Sequence, residues 1–435
     1  MIRSYPSPAP SPNSLGVKLG YALGNMGKSV IWASFESFML FYLVAVLGMD
    51  PLIAGALLAA TLVWDGLADV AVAWWTDRRG RSDMLTRLIT VGAPMVALGF
   101  WAIFGLAPGP SRIITILAVI VCRLGYTLCD VGHNTLMVRV AAHPRDAATV
   151  SGLRLIFSAM GGALVGMATA QGLTGPLAAQ RVALERSAAL AAVLYLVTLL
   201  TAMHVSRRLP SSVQTNGGVD RPFRALSGNR AFIMVLVLMA LQSGLTPLFT
   251  RALPFFGQAV HDDASWAGRA LTVITLAQAL SLPGWIALSR RYSSPDLLKA
   301  SHGLLLIAMA GIGLGFPETF HLAALVVLGT AQGGMNMAIW AMLAQSLRGG
   351  GASEALPVGL FLAGIKCSAG LGNALFAGIV KLGDLQCGTC QAEHSPLLAA
   401  LVAGIPAVGS VIIMALLGWQ GRHWLDERPA LRAMT

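Results

Sequence analysis

The sequence predicts an all-α membrane protein, twelve transmembrane helices in two six-helix bundles. Composition is the first sign: of 435 residues 56% are hydrophobic and 11% charged, with a mean hydropathy of +0.70. A soluble domain carries about 25% charge, so most of this chain must lie in a bilayer. Apolar runs of about 20 residues mark spanning helices. Twelve occur, near 19–46, 51–75, 86–107, 113–140, 150–172, 188–205, 231–257, 266–289, 298–316, 321–346, 357–382 and 396–419.

Charge placement gives the third sign. The net charge is +11, yet the arginines recur in alternate loops instead of gathering on one amphipathic surface, so nucleic acid is not an expected partner. Arg78, Arg79 and Arg81 follow the second span, Arg145 the fourth, Arg207, Arg208, Arg221 and Arg224 the sixth, Arg290 and Arg291 the eighth, and Arg348 the tenth. The positive-inside rule makes these loops and both termini cytoplasmic. The intervening loops carry acids such as Asp262, Asp263, Asp384 and Glu393. Residues 1–15 are rich in Pro and Ser and lead straight into the first span, so no cleavable signal peptide is expected. The longest polar segment, 206–230, holds Pro210, Gly217, Gly218 and five Arg, and divides the spans six and six. The expected organisation is a cytoplasmic tail 1–18, a bundle 19–205, a cytoplasmic loop 206–230, a second bundle 231–419 and a cytoplasmic tail 420–435, in a bacterial inner membrane.

Taken in order, the spans carry an unusual set of polar residues. The first offers Lys28 and Glu36. The second holds Asp65 and Asp69 four residues apart, hence on one helix face. A carboxylate in hydrocarbon costs a few kcal/mol or more, so these two are expected to face a wet or cation-occupied interior. The fourth span has Arg123, Tyr126, Thr127, Asp130 and Asn134 at i, i+3, i+4, i+7 and i+11, a polar stripe along an apolar helix. The fifth adds Arg154. The tenth has Gln332, Asn336 and Trp340 in line, and the eleventh Lys366 and Asn373. Four acids (Glu36, Asp65, Asp69, Asp130) face four bases (Lys28, Arg123, Arg154, Lys366), so the alternative to a functional role is mutual neutralisation. Small residues at four-residue spacing, Ser158, Gly162 and Gly166 on the fifth span and Gly364, Ser368 and Gly372 on the eleventh, are expected to allow close packing.

Of five cysteines, Cys122, Cys129 and Cys367 fall in spans and are expected to be buried thiols. Cys387 and Cys390 form a C-x-x-C in a loop expected to be extracytoplasmic, where a short disulfide is the first expectation. A metal site there lacks ligands beyond His394. Neither a thioredoxin-like βαβ pattern nor a G-x-x-x-x-G-K-[ST] phosphate loop is present, which argues against a redox enzyme and a primary pump. No enzymatic activity and no cofactor are expected.

The stretch Lys18-Leu-Gly-Tyr21 with Gly24, Gly27 and Lys28, then Trp64-Asp65 and Asp69, then Tyr126-Thr127 with Asp130, then Arg154 and Lys366, resembles the glycoside-pentoside-hexuronide:cation symporters. These are the melibiose permease branch of the major facilitator superfamily. Order and spacing agree over the first five spans and on the eleventh, and Trp340-Ala-Met-Leu-Ala344 resembles the family's tenth-span ending. The resemblance implies a cation site at Asp65, Asp69 and Thr127, and a substrate site on Asp130 and Arg154 with Lys366 near both. Tyr126, Lys28 and Trp340 are further substrate-site candidates. The chemistry agrees: carboxylate and hydroxyl oxygens suit Na⁺, or one carboxylate a proton, and an Asp and an Arg can each bond two neighbouring sugar hydroxyls. Lys366 would compete with the cation for the carboxylates, one route to coupling. The Asp77-Arg78-Arg79-Gly80-Arg81 loop resembles the superfamily's signature after the second span, with Ala73 where Gly is usual. Asp77, Arg78 and Arg81 are therefore gating candidates, with plain topogenic charge as the other reading.

The departures are Ala68 for an Asn that would add an oxygen ligand, Ser29 for a sugar-binding Asp, Asn134 for an aromatic, and Gln345-Ser-Leu-Arg348 for an acidic run. With Ala68 the cation site offers two carboxylates and one hydroxyl, few for Na⁺, whereas a proton needs a single carboxylate. H⁺ is expected over Na⁺. The expected function is alternating-access symport of a small polar solute, a sugar or glycoside among the candidates, with that cation. The alternatives are an exporter or carrier of a non-sugar amphiphile, and a non-transporting sensor or assembly factor on the same fold.

Overall fold

The computed structural model describes residues 13–37, 39, 42, 43, 49, 51–79, 81–106, 112–141, 143, 146–172, 177–210, 222–261, 266–313, 318–347, 354–382 and 395–426. Among them all regular structure is helical. The helices are α1 (Leu15–Ser37), α2 (Pro51–Arg79), α3 (Met84–Gly105), α4 (Arg112–Val140), α5 (Asp146–Gly172), α6 (Leu177–Ser206) and α7 (Pro222–Ser227). They continue with α8 (Arg230–Leu245), α9 (Leu248–His261), α10 (Trp266–Leu288), α11 (Ser294–Gly313), α12 (Glu318–Ser346), α13 (Ala355–Leu382) and α14 (Ser395–Asp426). Ten stretches of the described residues are long and apolar enough to cross a membrane. With α1 and α2, which carry Lys28, Asp65 and Asp69, they make the twelve spans of an all-α membrane protein. Leu190, Leu280 and Leu371 on these spans are 73%, 78% and 73% exposed, as suits helices surrounded by hydrocarbon.

Three element boundaries differ from the sequence expectation. The single span expected at 231–257 is two helices, because Pro247 has no N–H to donate and its ring crowds the preceding turn. The Thr246 hydroxyl donates back to the Gln242 carbonyl at 2.7 Å just before the break. Helix α6 starts at Leu177 and not near 188; its first turns hold Arg181, Glu185 and Arg186, which mask the helix from hydropathy. Helix α2 runs to Arg79, so Asp77 and Arg78 belong to its last turn and not to a loop.

Local caps fix several of the starts. Ser293 caps α11 by accepting from the Asp296 amide at 3.4 Å, and its hydroxyl donates to the Asp296 carboxylate. Asn229 caps α8 by accepting from the Phe232 amide at 3.0 Å, and its own amide donates to the Ser346 carbonyl at 3.0 Å. Asp146 opens α5 and receives Lys18 at 2.5 Å and the Asn13 amide at 3.2 Å, joining the start of α1 to that of α5.

The chain divides into two compact units. The first holds the residues to Ile233 together with Leu343–Lys366; the second holds Met234–Met342 and the residues from Cys367. In the first, α3 lies along α4, α1 lies against α5 and α6, and α6 closes on α3. Tyr21 and His133 lock α1 to α4: the Tyr21 hydroxyl donates to the His133 carbonyl, the His133 ring meets the Tyr21 carbonyl, both at 2.9 Å, and the rings stack 4.4 Å apart. In the second, α14 packs on α11 and α9, and α9 on α10.

Small residues decide how close α1 comes to its neighbours. A Cβ on Gly24 would lie 2.5 Å from His133 Nε2, and one on Gly161 2.4 Å from the Met26 carbonyl. Gly162 and Gly166, expected at the packing face of the fifth span, have nothing within 4 Å; the helix presents Gly161 there, one position (about 100°) away. Gly24→Val should therefore lower stability by about 1–3 kcal/mol through overpacking. Gly162→Ala should leave it unchanged or slightly raised, as measured by thermal unfolding of the purified protein in detergent.

Candidate functional site

The first unit buries a charged cluster around α4. Asp65 and Asp69 on α2 have no exposed surface, and Lys28, Arg123, Thr127, Asp130, Asn134, Arg154 and Lys366 are all buried. The expected stripe on α4 is thus an inward face, because a helix in lipid can carry such residues only where other residues or a cavity receive them.

Two groups form along that face. In one, Arg123 pairs with Asp65, while Lys366 on α13 bonds Asp69 Oδ2 at 2.5 Å and lies 3.8 Å from Asp65 Oδ2. The Arg123 guanidinium lies over the rings of Phe35, Trp32 and Tyr126 at 4.9, 5.6 and 5.8 Å, a cation–π enclosure that keeps it beside α2. The remaining oxygens, Asp65 Oδ1, Asp69 Oδ1 and Thr127 Oγ1, are buried without a hydrogen-bond partner among the described residues. In the other group Lys28 pairs with Asp130 at 2.5 Å, and Asn134 donates to Asp130 at 2.8 Å. The Asn134 carbonyl oxygen accepts from Lys28 at 3.1 Å and from Arg154, whose Nε also donates to Asn25 Oδ1 at 3.1 Å. Asn134 is the junction of this group, tying α1, α4 and α5 together.

Lys366 reaches the acids because α13 approaches α2 closely. A Cβ on Gly359 would lie 2.5 Å from Ala73 Cβ and 2.7 Å from the Asp69 carbonyl. Lys366 is two turns further along the same face of α13. Cys367, the next residue, is exposed rather than buried as expected, since one residue turns the helix by about 100° away from that face. Cys122 and Cys129 are buried. The Glu36 and Asn373 side chains, Gly80, Arg348, Cys387, Cys390 and His394 lie outside the described residues.

At its first residues, α13 is held by α2 and α4. The Asp77 carboxylate accepts the amides of Glu354, Ala355 and Leu356 at 3.2, 3.0 and 2.7 Å, a helix N-terminus capped by an anion. Arg139 at the end of α4 donates twice to Glu354 Oε2, at 3.0 and 2.8 Å, and to the Ser82 carbonyl at 2.8 Å. Arg78 and Arg81 have partners close in sequence. Arg78 stacks on Trp74 at 4.6 Å, and Arg81 pairs with Asp83 at 3.1 Å. The bonds from Arg81 and Arg87 hold the exposed Asp83 carboxyl down at about 2.

Arg139, Glu354 and Asn25 were not singled out from sequence. Arg139 lies among apolar residues at a helix end, where topogenic charge is common, and Glu354 borders a glycine-rich loop. Trp340 is half-buried on α12 in the second unit, where Gln242 donates to Asn336 at 3.4 Å.

Fold and cluster together define a membrane transporter of many spans. Residues 20–419 match the family of MFS/sugar transport proteins, and the chain belongs to that family. A Bacillus subtilis (strain 168) protein described as the uncharacterized symporter YnaJ is 24% identical over 156 residues, 35% of this chain and 34% of its own length. The match thus spans about a third of that relative. The major facilitator transporter FucP in an outward conformation superposes with a TM-score of 0.67 at 12% identity, covering 92% of this chain and 98% of its own. The proton:xylose symporter XylE superposes at 0.66 and 14% identity, over 93% and 94%. A bacterial homologue of the iron transporter ferroportin, outward-facing, gives 0.67 and 12%, over 92% and 99%. At these identities the solved structures show the fold alone.

Removing one member of a buried pair strands the other charge, at a cost of about 3–5 kcal/mol, whereas replacing both by apolar residues of similar volume is often neutral. Arg139→Met and Glu354→Leu should each destabilise strongly, and the double variant should recover most of the loss, read as thermal unfolding midpoints in a double-mutant cycle.

Proposed function

We propose that this protein is a cation-coupled symporter that carries a small polar solute, of the sugar or glycoside class, by alternating access in a bacterial inner membrane with both termini cytoplasmic. The observation that supports it most is the set of buried oxygens left by the protein at Asp65, Asp69 and Thr127, beside a lysine that shares the two carboxylates. Two carboxylates and a hydroxyl are the chemistry of a cation or proton site. The Ala68 side chain contributes no oxygen, which favours H⁺ over Na⁺ as the coupling ion.

Asp130, Arg154 and Lys28, held in one network through Asn134, are the proposed solute contacts, with Tyr126 on the same helix face. Each can turn a donor or acceptor to a hydroxylated ligand at the expense of a bond in the network. Trp340 is the proposed aromatic contact. Two six-helix halves, 19–205 and 231–419, are the proposed moving bodies. The Asp77 cap and the Arg139–Glu354 pair would form on one side of the cycle and break on the other.

The experiment is uptake of labelled sugars and glycosides into proteoliposomes under a pH gradient, a Na⁺ gradient, or neither. Accumulation should follow the pH gradient; accumulation driven fully by Na⁺ alone would overturn the proton assignment. Asp65→Asn and Asp69→Asn should each abolish uphill accumulation while leaving counterflow exchange, because the amide keeps the shape and loses the charge. Undiminished accumulation in both would remove the ion site from α2. Arg154→Ala should weaken solute binding by about tenfold or more, the loss expected for one partner of a buried polar set; unchanged binding would place the solute elsewhere.

A further inference from the structure

The first unit contains an apolar cavity that the charged cluster does not use. It lies between α1, α3, α5 and α6, with a volume of about 220 Å³, larger than the ~150 Å³ apolar cavity that can hold a benzene. Phe100 and Phe104 form its floor, Val165 one wall, Ala188 and Ala191 the other. Its outer lip is Leu190 on α6 and Leu164 on α5, 73% and 39% exposed. Both helices are membrane spans, so what lies outside this lip is hydrocarbon and not water.

A cation stands in line with the cavity. Arg181, Leu184, Ala188 and Ala191 follow at i, i+3, i+7 and i+10, one face of α6, with Arg181 at the start of the span. Its place follows from the helix: Leu184, one turn after Arg181, already lines the cavity. The apolar slot thus has a cationic residue one turn beyond its Leu184 end, at the start of the span. An apolar tail joined to an anionic head, arriving from the bilayer, complements both features. Guanidinium groups bind phosphate in a two-pronged geometry, and the start of a span is where headgroups lie.

We propose that this groove is a structural phospholipid site, with one acyl chain between α5 and α6 and the lipid phosphate on Arg181. It is separate from the solute and ion sites proposed above and does not depend on them. Small side chains at Ala188 and Ala191 leave the room for the chain.

The test uses the full-length protein in phosphatidylglycerol vesicles, released in mild detergent and weighed by native mass spectrometry. The unaltered protein should retain one phospholipid. Ala191→Trp, which fills the slot, and Arg181→Gln, which removes the phosphate partner at the edge of the membrane, should each lower that retention by about tenfold. Val193→Trp, on the outer surface of the same helix where Val193 is 59% exposed, should retain lipid like the unaltered protein. Thermal unfolding checks that the variants fold, and Arg181→Gln carries the test if the tryptophan does not. Retention unchanged in Arg181→Gln and Ala191→Trp overturns the site, and so does displacement of the lipid by a transported sugar, which would make the cavity part of the solute path.

Discussion

A charge inside a bilayer must have a partner, and the first unit is arranged around that requirement. Asp65 on α2 meets Arg123 on α4, Asp69 on α2 meets Lys366 on α13, Asp130 on α4 meets Lys28 on α1, and Glu354 meets Arg139 on α4. Each pair joins different elements, and three of the four involve α4. Such pairs add little net stability, because desolvation offsets most of the attraction. Their effect is on arrangement: turning α4 by one residue would strand several charges at once. The Phe35, Trp32 and Tyr126 rings around Arg123 reinforce the same register.

The two groups on α4 are not independent. Lys366 bonds Asp69, approaches Asp65, and its charge also acts on Asp130. Neutralising either α2 carboxylate would therefore change what Lys366 offers to the Asp130 network, without any movement of α4. In a medium of low dielectric such interactions reach further than in water. On the proposed reading this is the physical link between an ion bound at α2 and a solute bound between α1, α4 and α5.

The polar face of α4 and the paired aspartates of α2 were legible in the sequence because a polar residue in an apolar helix is conspicuous and helical spacing assigns its face. Which residues pair was not legible, since a face has several possible partners and only the packing selects among them. Asn134 reads as the loss of an aromatic, yet it joins Lys28, Asp130 and Arg154. Gly162 and Gly166 fit a four-residue pattern, but Gly161 makes the contact. The early start of α6 was hidden by Arg181 and its neighbours for the same reason that makes Arg181 interesting: hydropathy averages over a window, while a single cation on a groove acts through its position. The break at Pro247 was readable from the ring's chemistry, and the apolar run across it does form one span, made of two helices.

Residues 354–366 are attached by two kinds of contact, and the difference bears on how they could let go. At the start of α13 the attachment is polar, Asp77 to three amides and Arg139 to Glu354, in residues that border loops where water can replace each bond as it breaks. Further along, Gly359 lies against α2 and Lys366 is buried on Asp69, where no water from the bilayer can take over. Releasing that end leaves Asp69 and Lys366 each without its partner, the loss that makes breaking a buried pair costly. On the proposed reading, a proton or cation at the α2 carboxylates would neutralise the acid and leave Lys366 to the field of Asp130, so that ion binding would lower the cost of the buried half of the release while water meets the polar half.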